Sequence, residues 1–566
     1  MSKKLLECVP NFSEGNNTEI IRNITNEVKN VKGVTLLNVD PGKATNRTVV
    51  TFVGDPESVL EAAFKLIKKA AELINMETQQ GEHPRMGATD VCPLIPISGI
   101  TMQETIKYSE LLAKKVSDEL NIPTYLYEYS AKQKYRSNLA QVRSGEYEGL
   151  KNKVKDPKWQ PDFGPTEFNM FKKSGATAIG ARDFLIAYNI NLNTTSTRRA
   201  NAIAFDIREK GRIARQNNSL TGSILKDKDG NIIWKPGTLK HVKAIGWFIE
   251  EYGICQISMN LTNIHETPIH IVFDEVCKRA EKRGIRVTGS ELVGLIPLKS
   301  MLDAGKYFLK KQQRSTGISE NEIIKIAQTT MGLDEIQKFD ANEKIIEYRI
   351  KEERNSLCDL SLTQFTQETA SESPAPGGGS ISAHIGALGA ALTTMVANLS
   401  SHKRGWDEKW EVFSKLADKG QKYITNLEHL VDEDTNAFNA IINAFRLNEN
   451  SEAEKKTKAI AIQKATLNAI KIPLQVMESS LDLMDLIEEI VEIGNPNSIS
   501  DVGVAGLCAR SAVLGAYLNV IINAKDYKEG KEKKKILLHA ENLKSKAINK
   551  EQKIIEKTIR SIRNSS

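Results

Sequence analysis

Apolar residues along the first 350 positions recur with two periods, that of a strand and that of a helix. Short apolar runs at 5–9, 34–39 and 49–53 predict strands, and the run at 91–97 predicts another. Between them, apolar positions at helical spacing predict a helix over 18–28, opened by the polar Gly15-Asn16-Asn17. A second helix is predicted from Pro56 to Ile74, because Asp55 offers an N-cap and Pro56 fits the first helical position. The resulting order is strand, helix, strand, strand, helix, strand.

A comparable series starts at 184–192 with a strand and continues with a helix around 198–210, a strand over 254–261 and a helix over 268–283. It closes with an apolar run at 292–297 and a helix over 298–310. The repetition predicts two related α/β halves, each an antiparallel sheet with helices on one face. Residues 161–180, rich in glycine and aromatics, lie between them, and the polar stretch 215–237 reads as a surface hairpin or insertion. Beyond Ile350 the period changes. After the charged segment 351–356, helical spacing recurs at 361–369, 380–399, 406–445, 452–470, 474–490, 502–522 and 531–562, which predicts a helical bundle. The expected organisation is an α+β half of two subdomains, 1–183 and 184–350, a linker over 351–358 and an all-α domain over 359–566.

Composition narrows the classes. A chain of 566 residues with 40% hydrophobic and 26% charged residues can build several packed domains. The net charge of +7 arises from 78 basic and 71 acidic residues mixed along the chain, so nucleic-acid binding is not expected, whereas small anionic ligands fit. Cys8, Cys92, Cys255, Cys277, Cys358 and Cys508 are far apart, without metal-ligand spacing, and read as reduced thiols. The N-terminal apolar stretch is too short for a signal peptide and no later segment is expected to span a membrane, so a cytoplasmic location is expected.

Four segments carry chemistry. In 81–90, His83 stands between Glu82 and Arg85 on a glycine-flanked loop that enters an apolar strand, which unites proton transfer and anion binding; a histidine before a proline is also an ordinary turn residue. Asp40 ends a strand and can orient the imidazole if the two strands share a sheet. Ordinary turn chemistry is its alternative. The stretch Gly164-Pro165-Thr166-Glu167-Phe168, closing at Gly175 after two lysines, suits a flat heterocycle with an anionic tail, or serves as a connector. In the helical half, Gly377-Gly378-Gly379-Ser380 opens an Ala- and Gly-rich helix and exposes amides to an anion. Three acids lie in one turn at 432–434, where Asp434 and Phe438 share a face, and Asn519 and Asn523 are polar on an otherwise apolar helix.

The segments 8–15, 81–93, 162–165 and 180–192 resemble the formimidoyltransferase domain, and 375–380, 431–438 and 515–523 resemble the cyclodeaminase domain. Nearly the whole chain is similar to the bifunctional formimidoyltransferase-cyclodeaminase family. The resemblance implies two ferredoxin-like subdomains followed by a helical dimerising domain, assembled as a homo-oligomer, an octameric ring. It implies transfer of a formimidoyl group from N-formimidoyl-L-glutamate to tetrahydrofolate, then cyclisation to 5,10-methenyltetrahydrofolate with loss of ammonia, a route of histidine degradation. His83 falls at the transferase base, with Asp40 in support and Arg85 on a carboxylate. Asp434 falls at the cyclodeaminase acid/base. Gly164 to Gly175 and Asn189 match the transferase's folate-binding segments, and Gly377 to Ser380, Asn519 and Asn523 are assigned to folate in the second site. The resemblance implies tetrahydrofolate, in polyglutamated forms, as co-substrate, and no metal or redox cofactor is expected. Lys528, Lys531, Lys533, Lys534 and Lys535 offer a place for a polyglutamate tail, although such runs ordinarily only solvate a helix. The alternatives are a helical half acting as a methenyltetrahydrofolate cyclohydrolase or serving assembly alone.

Overall fold

The computed structural model describes residues 4–42, 46–81, 84–218, 221–350, 356–373 and 375–564. Lys43, Ala44, Thr45, Glu82 and His83 lie outside this set. The chain divides into two compact units, one of residues 1–300 and 331–351, the other of residues 301–330 and 352–566.

In the first unit the predicted repeat is present twice. The first copy comprises β1 (Leu5–Cys8), β2 (Asn11–Phe12), β3 (Val34–Gly42), β4 (Arg47–Gly54) and β5 (Thr89–Ser98), extended by β6 (Thr124–Leu126) and β7 (Thr177–Ala181). The strand order is β3, β4, then β1 and β2, then β5, β7 and β6. The pairings as far as β5 are antiparallel, but β5–β7 and β7–β6 are parallel. This corrects the expectation of a purely antiparallel sheet. The helix Met102–Leu120 lies between β5 and β6 and supplies the long crossover that parallel strands require. The N-cap at Asp55, with Pro56 opening the helix Pro56–Leu73, is as expected: Asp55 accepts a hydrogen bond from Ser58 N at 3.0 Å.

The second copy contains β8 (Ile186–Leu192), β9 (Arg212–Ile213), β10 (Trp234–Lys235), β11 (Val242–Ile249), β12 (Ile254–Leu261) and β13 (Val287–Val293). Its four-stranded sheet runs β11, β12, β8, β13, entirely antiparallel, and β9–β10 form a separate hairpin. In the first sheet, Leu6, Cys8, Val50 and Phe52 are buried in one core with residues of the helices Thr18–Lys29 and Pro56–Leu73. In the second, Gly246 meets Ala200 and Asn201 of the helix Thr197–Ile207 so closely that a Cβ there would lie 2.4 Å from Asn201 N. The opposite face of each sheet carries polar residues.

The second unit is helical. Its long helices are Gly378–Ser401, Trp410–Phe445, Glu452–Ile493, Ile499–Ala524 and Lys531–Asn564. Where the sequence predicts separate helices over 452–470 and 474–490, one helix runs through Pro473. Proline has no N–H for the carbonyl of residue i−4, and here Asn523 Nδ2 donates to that carbonyl, Ala469 O, at 2.7 Å. Residues 301–330, ahead of the expected linker, belong to this unit. Thr316 N donates to Ser414 Oγ at 3.0 Å, Thr316 Oγ1 to Asp418 at 2.7 Å and Asn398 Nδ2 to Gly317 O at 2.8 Å.

Contrary to the expectation drawn from the sequence, the helix Gly378–Ser401 and the segment Pro496–Ala524 are long and apolar enough to cross a membrane. Their hydropathy comes from Ile, Leu, Val and Ala, spread among Gly, Ser, Thr and Asn. Small residues let them pack closely: a Cβ on Gly389 would lie 3.1 Å from Ala505 O, and one on Gly515 2.3 Å from Ser382 Oγ.

Candidate active sites

The open faces of the two sheets of the first unit line one cleft of about 880 Å³. Asn11, Val49 and Val91 reach it from the first sheet, and Lys243 and Asn260 from the second. Four cations line it: Arg47, Arg143, Arg182 and Lys243. Arg143 is ion-paired with the buried Asp90, whose other oxygen accepts from Met86 N at 3.1 Å. Burial raises the pKa of Asp90, and Arg143 opposes the rise. Burial, and then the like charge of Arg143, push the Arg47 guanidinium down. Two neighbouring guanidinium groups on the cleft wall offer charge-assisted donors to an anion. Two lining residues, Glu128 at φ 51° and His241 at φ 54°, hold the left-handed backbone that side chains disfavour.

A second cavity, of about 980 Å³, shares Val9, Val49, Arg182 and Leu185 with the first and adds Glu7 and Asp40. Glu7 is 4% exposed, and burial lifts its pKa to about 7 against the pull of Arg182. Asp40 stands in one row with Val49, Asn11 and Val91. Three strand spacings separate it from Val91, roughly 14 Å. It therefore shares a sheet with the strand that follows the His83 loop, on the cleft face.

Several expected site residues have other tasks. Arg85 spends its donors on Glu148, Glu146 and Gln79, with Nη2 at 2.8 Å from Glu148 Oε1, and does not line the cleft. Gly164 and Gly175 hold φ of 104° and 65°. A Cβ on Gly175 would lie 2.3 Å from Met86 O, so this glycine permits the backbone crossing that fixes the segment after His83. Thr166 and Glu167 are exposed, Pro165 is half-buried and Phe168 packs edge-on against Phe171. None of these six expected residues lines the cleft. Asn189, buried on β8, donates to Glu291 at 3.2 Å, next to a chain in which Gln256 donates to Asn191 and Asn191 to Glu335.

In the second unit the predicted constellation converges. The helix Gly378–Ser401 begins beside Asp434 of the helix Trp410–Phe445. Asp434 Oδ2 accepts from Ser380 N at 2.8 Å and lies 3.1 Å from Ser380 Oγ. A Cβ on Gly379 would sit 2.1 Å from Asp434 Oδ1, and one on Gly378 would sit 3.2 Å from Asn519 Nδ2. Gly377 precedes them as the N-cap. Burial raises the pKa of Asp434, and the two hydrogen bonds from Ser380 partly oppose it. The carboxyl thus holds a proton more readily than an exposed aspartate does. Asp432 instead accepts from Ser356 Oγ and Leu357 N. Asn523 serves Ala469 as described.

Cleft and carboxylate sit on separate units, which defines a protein with two independently built sites. Family models agree with this division: "Formiminotransferase domain, N-terminal subdomain" matches residues 5–182, "Formiminotransferase domain" residues 187–351, and "Formiminotransferase-cyclodeaminase" residues 361–542. The chain is 41% identical to the formimidoyltransferase-cyclodeaminase of Mus musculus over 92% of its own length and 93% of the relative's. It is 40% identical to the glutamate formimidoyltransferase of Streptococcus pyogenes over 54% of this chain and 94% of that one. A methenyltetrahydrofolate cyclohydrolase of Methylorubrum extorquens is 37% identical over 29% of this chain and 79% of that protein. The chain belongs to the formimidoyltransferase-cyclodeaminase family.

Proposed function

We propose that the chain transfers the formimidoyl group of N-formimidoyl-L-glutamate to N5 of tetrahydrofolate, then closes the 5-formimidoyl product to 5,10-methenyltetrahydrofolate with release of ammonia. The observation that carries this reading is the pairing, on one chain, of a cation-lined cleft and a half-buried carboxyl at a helix N-terminus, in the regions matched by the transferase and cyclodeaminase models.

In the first step N5 attacks the formimidoyl carbon and the bond to the glutamate nitrogen breaks. Arg47, Arg143 and Arg182 offer charge-assisted hydrogen bonds to the substrate carboxylates and the glutamyl tail of the folate. His83, assigned from its sequence motif, takes the N5 proton and returns one to the departing amine. Arg85, engaged with two glutamates, leaves the carboxylate role to the cleft arginines. In the second step N10 attacks the same carbon of the amidinium. Asp434 carries the N10 proton to the departing nitrogen, ammonia leaves, and the methenyl cation remains. Ser380 aims the carboxyl, and Asn519 beside Gly378 borders the place for the folate.

The strand order second, third, first, fourth in each βαββαβ copy supports a ferredoxin-like reading of both subdomains. The six free cysteines support a reducing, cytoplasmic setting. Polyglutamated folates and a ring of eight subunits belong to the same proposal. The similarity to a cyclohydrolase favours one second reading, in which the helical unit opens the methenyl ring by hydrolysis. Purified protein given N-formimidoyl-L-glutamate and tetrahydrofolate, and separately given 5,10-methenyltetrahydrofolate, tests both: methenyl absorbance rising with stoichiometric ammonia supports the proposal, whereas 5-formimidoyltetrahydrofolate accumulating without ammonia, with hydrolysis of supplied methenyl compound, refutes it.

A further inference from the structure

Arg215, Trp234, Lys235 and Pro236, from the polar stretch noted in the sequence, line neither site described above but a third cavity. β9 and β10 pair antiparallel, and the bridges Arg215–Ile224 and Lys226–Ile232 continue the hairpin. Together with the end of the helix Thr197–Ile207 and Arg279, it encloses about 650 Å³. That is the size of a small-molecule site.

Arg208, Arg212, Arg215, Lys235 and Arg279 line the cavity against one carboxylate, Asp206. The nearby acids are already committed. Asp206 pairs with Arg212 and Arg283, and Glu275 holds Arg279 at 2.7 Å. Arg208 donates to Gly211 O at 2.9 Å, and Arg215 to Gly222 O at 2.9 Å. No carboxylate pairs with Arg208, Arg215 or Lys235 among the described residues. Burial pushes the Arg208 guanidinium down, as expected of a cation without a counter-ion. Trp234 and Phe205 add ring surface, each with a cation over it: Lys210 Nζ lies 4.1 Å from the Trp234 ring and Arg208 4.1 Å from that of Phe205.

We propose that this cavity binds a compact polyanion of the di- or triphosphate class, separate from both reaction sites. A single carboxylate would leave two of the three unpaired cations uncompensated. Adjacent phosphates place two or more charges within one cavity, and guanidinium groups match their oxygens with paired N–H donors. The source is inorganic or nucleotide, and Trp234 and Phe205 offer contact to a base.

Calorimetric titration of the full chain with sodium tripolyphosphate, ATP, adenosine and triglutamate tests this. Tripolyphosphate and ATP are expected to bind and adenosine not to; tighter ATP binding assigns the nucleotide, and equal binding assigns the phosphates alone. R215A/K235A is expected to weaken binding by about tenfold or more, one charge-assisted contact's worth. Both enzymatic rates should stay unchanged. R215K/K235R, which keeps the charge, should retain binding and guards against a folding defect. No binding of either phosphate compound at about 1 mM, equally tight triglutamate, or unaltered binding by R215A/K235A would overturn the proposal.

Discussion

Replacing Gly379 by alanine probes the second site through one methyl group. The added Cβ would lie 2.1 Å from Asp434 Oδ1, 2.5 Å from Cγ and 2.6 Å from Oδ2. Ordinary contact begins at 3.4 Å, so the carboxyl must withdraw by about 1.3 Å, the difference between 3.4 and 2.1 Å. That breaks its 2.8 Å bond from Ser380 N. Overpacking of this kind costs about 1–3 kcal/mol, while alanine in a helix regains up to about 1 kcal/mol over glycine. Net destabilisation is therefore modest, roughly 0–3 kcal/mol. Activity is expected to suffer more, because a displacement near 1 Å in a reacting group costs on the order of a hundredfold in rate. Ammonia release from 5-formimidoyltetrahydrofolate, followed with a coupled dehydrogenase, should fall by about that factor, with transfer unchanged. Gly378→Ala is the control: its Cβ would approach the amide end of Asn519 at 3.2 Å, a few tenths of an ångström inside ordinary contact, and the loss should stay below about tenfold. Gly379→Ala retaining ammonia release within about threefold of the parent rate would refute the geometry assigned to Asp434.

Other predictions concern single groups. Glu7 has a folded pKa of about 7 against an ordinary 4.5, so ionisation disfavours the fold. Stability should fall as pH rises from the unfolded value through about 7, by roughly 3 kcal/mol in total. Glu7→Gln should remove this loss, raising stability at pH 8 but not at pH 4.5 in denaturant titrations, and parallel pH curves for the two proteins would contradict it. Asn523→Ala should cost about 1–3 kcal/mol by orphaning Ala469 O, and less in a Pro473→Ala background, where an N–H returns; equal costs in a double-mutant cycle would dismiss this role. His83→Ala should lower transfer by about two orders of magnitude or more while ammonia release from supplied 5-formimidoyltetrahydrofolate persists. Parent-rate transfer would remove His83 from the mechanism.

Local signals gave the sequence much of its legibility. Asp55-Pro56 announced a helix start, and alternating periods announced two related α/β halves and a helical half, although the strand Val242–Ile249 of the second half went unread. Gly378 to Ser380, Asp434 and Asn519 were each readable as chemistry, and the fold brings them together. The cleft cations were not readable, because Arg47, Arg143, Arg182 and Lys243 come from separate segments with no shared spacing. Arg85 looked more suitable than any of them, since sequence does not show that Glu146 and Glu148 claim it. Pro473 read as a helix break because its compensation comes from Asn523, fifty residues later in the chain. The packing of residues 301–330 with the helical unit rests on Ser414 and Asp418, about a hundred residues away, and leaves no periodic trace.

The central claim is that two sites on one chain perform two successive reactions, the second through Asp434. Asp434→Asn keeps the shape of the side chain while removing its ability to carry a proton at neutral pH. Stopped assays that follow glutamate, ammonia and methenyl product from one reaction mixture test this directly. The account predicts glutamate release at the parent rate, 5-formimidoyltetrahydrofolate accumulating, and ammonia reduced by about a hundredfold or more. Ammonia and methenyl product formed at the parent rate would contradict it.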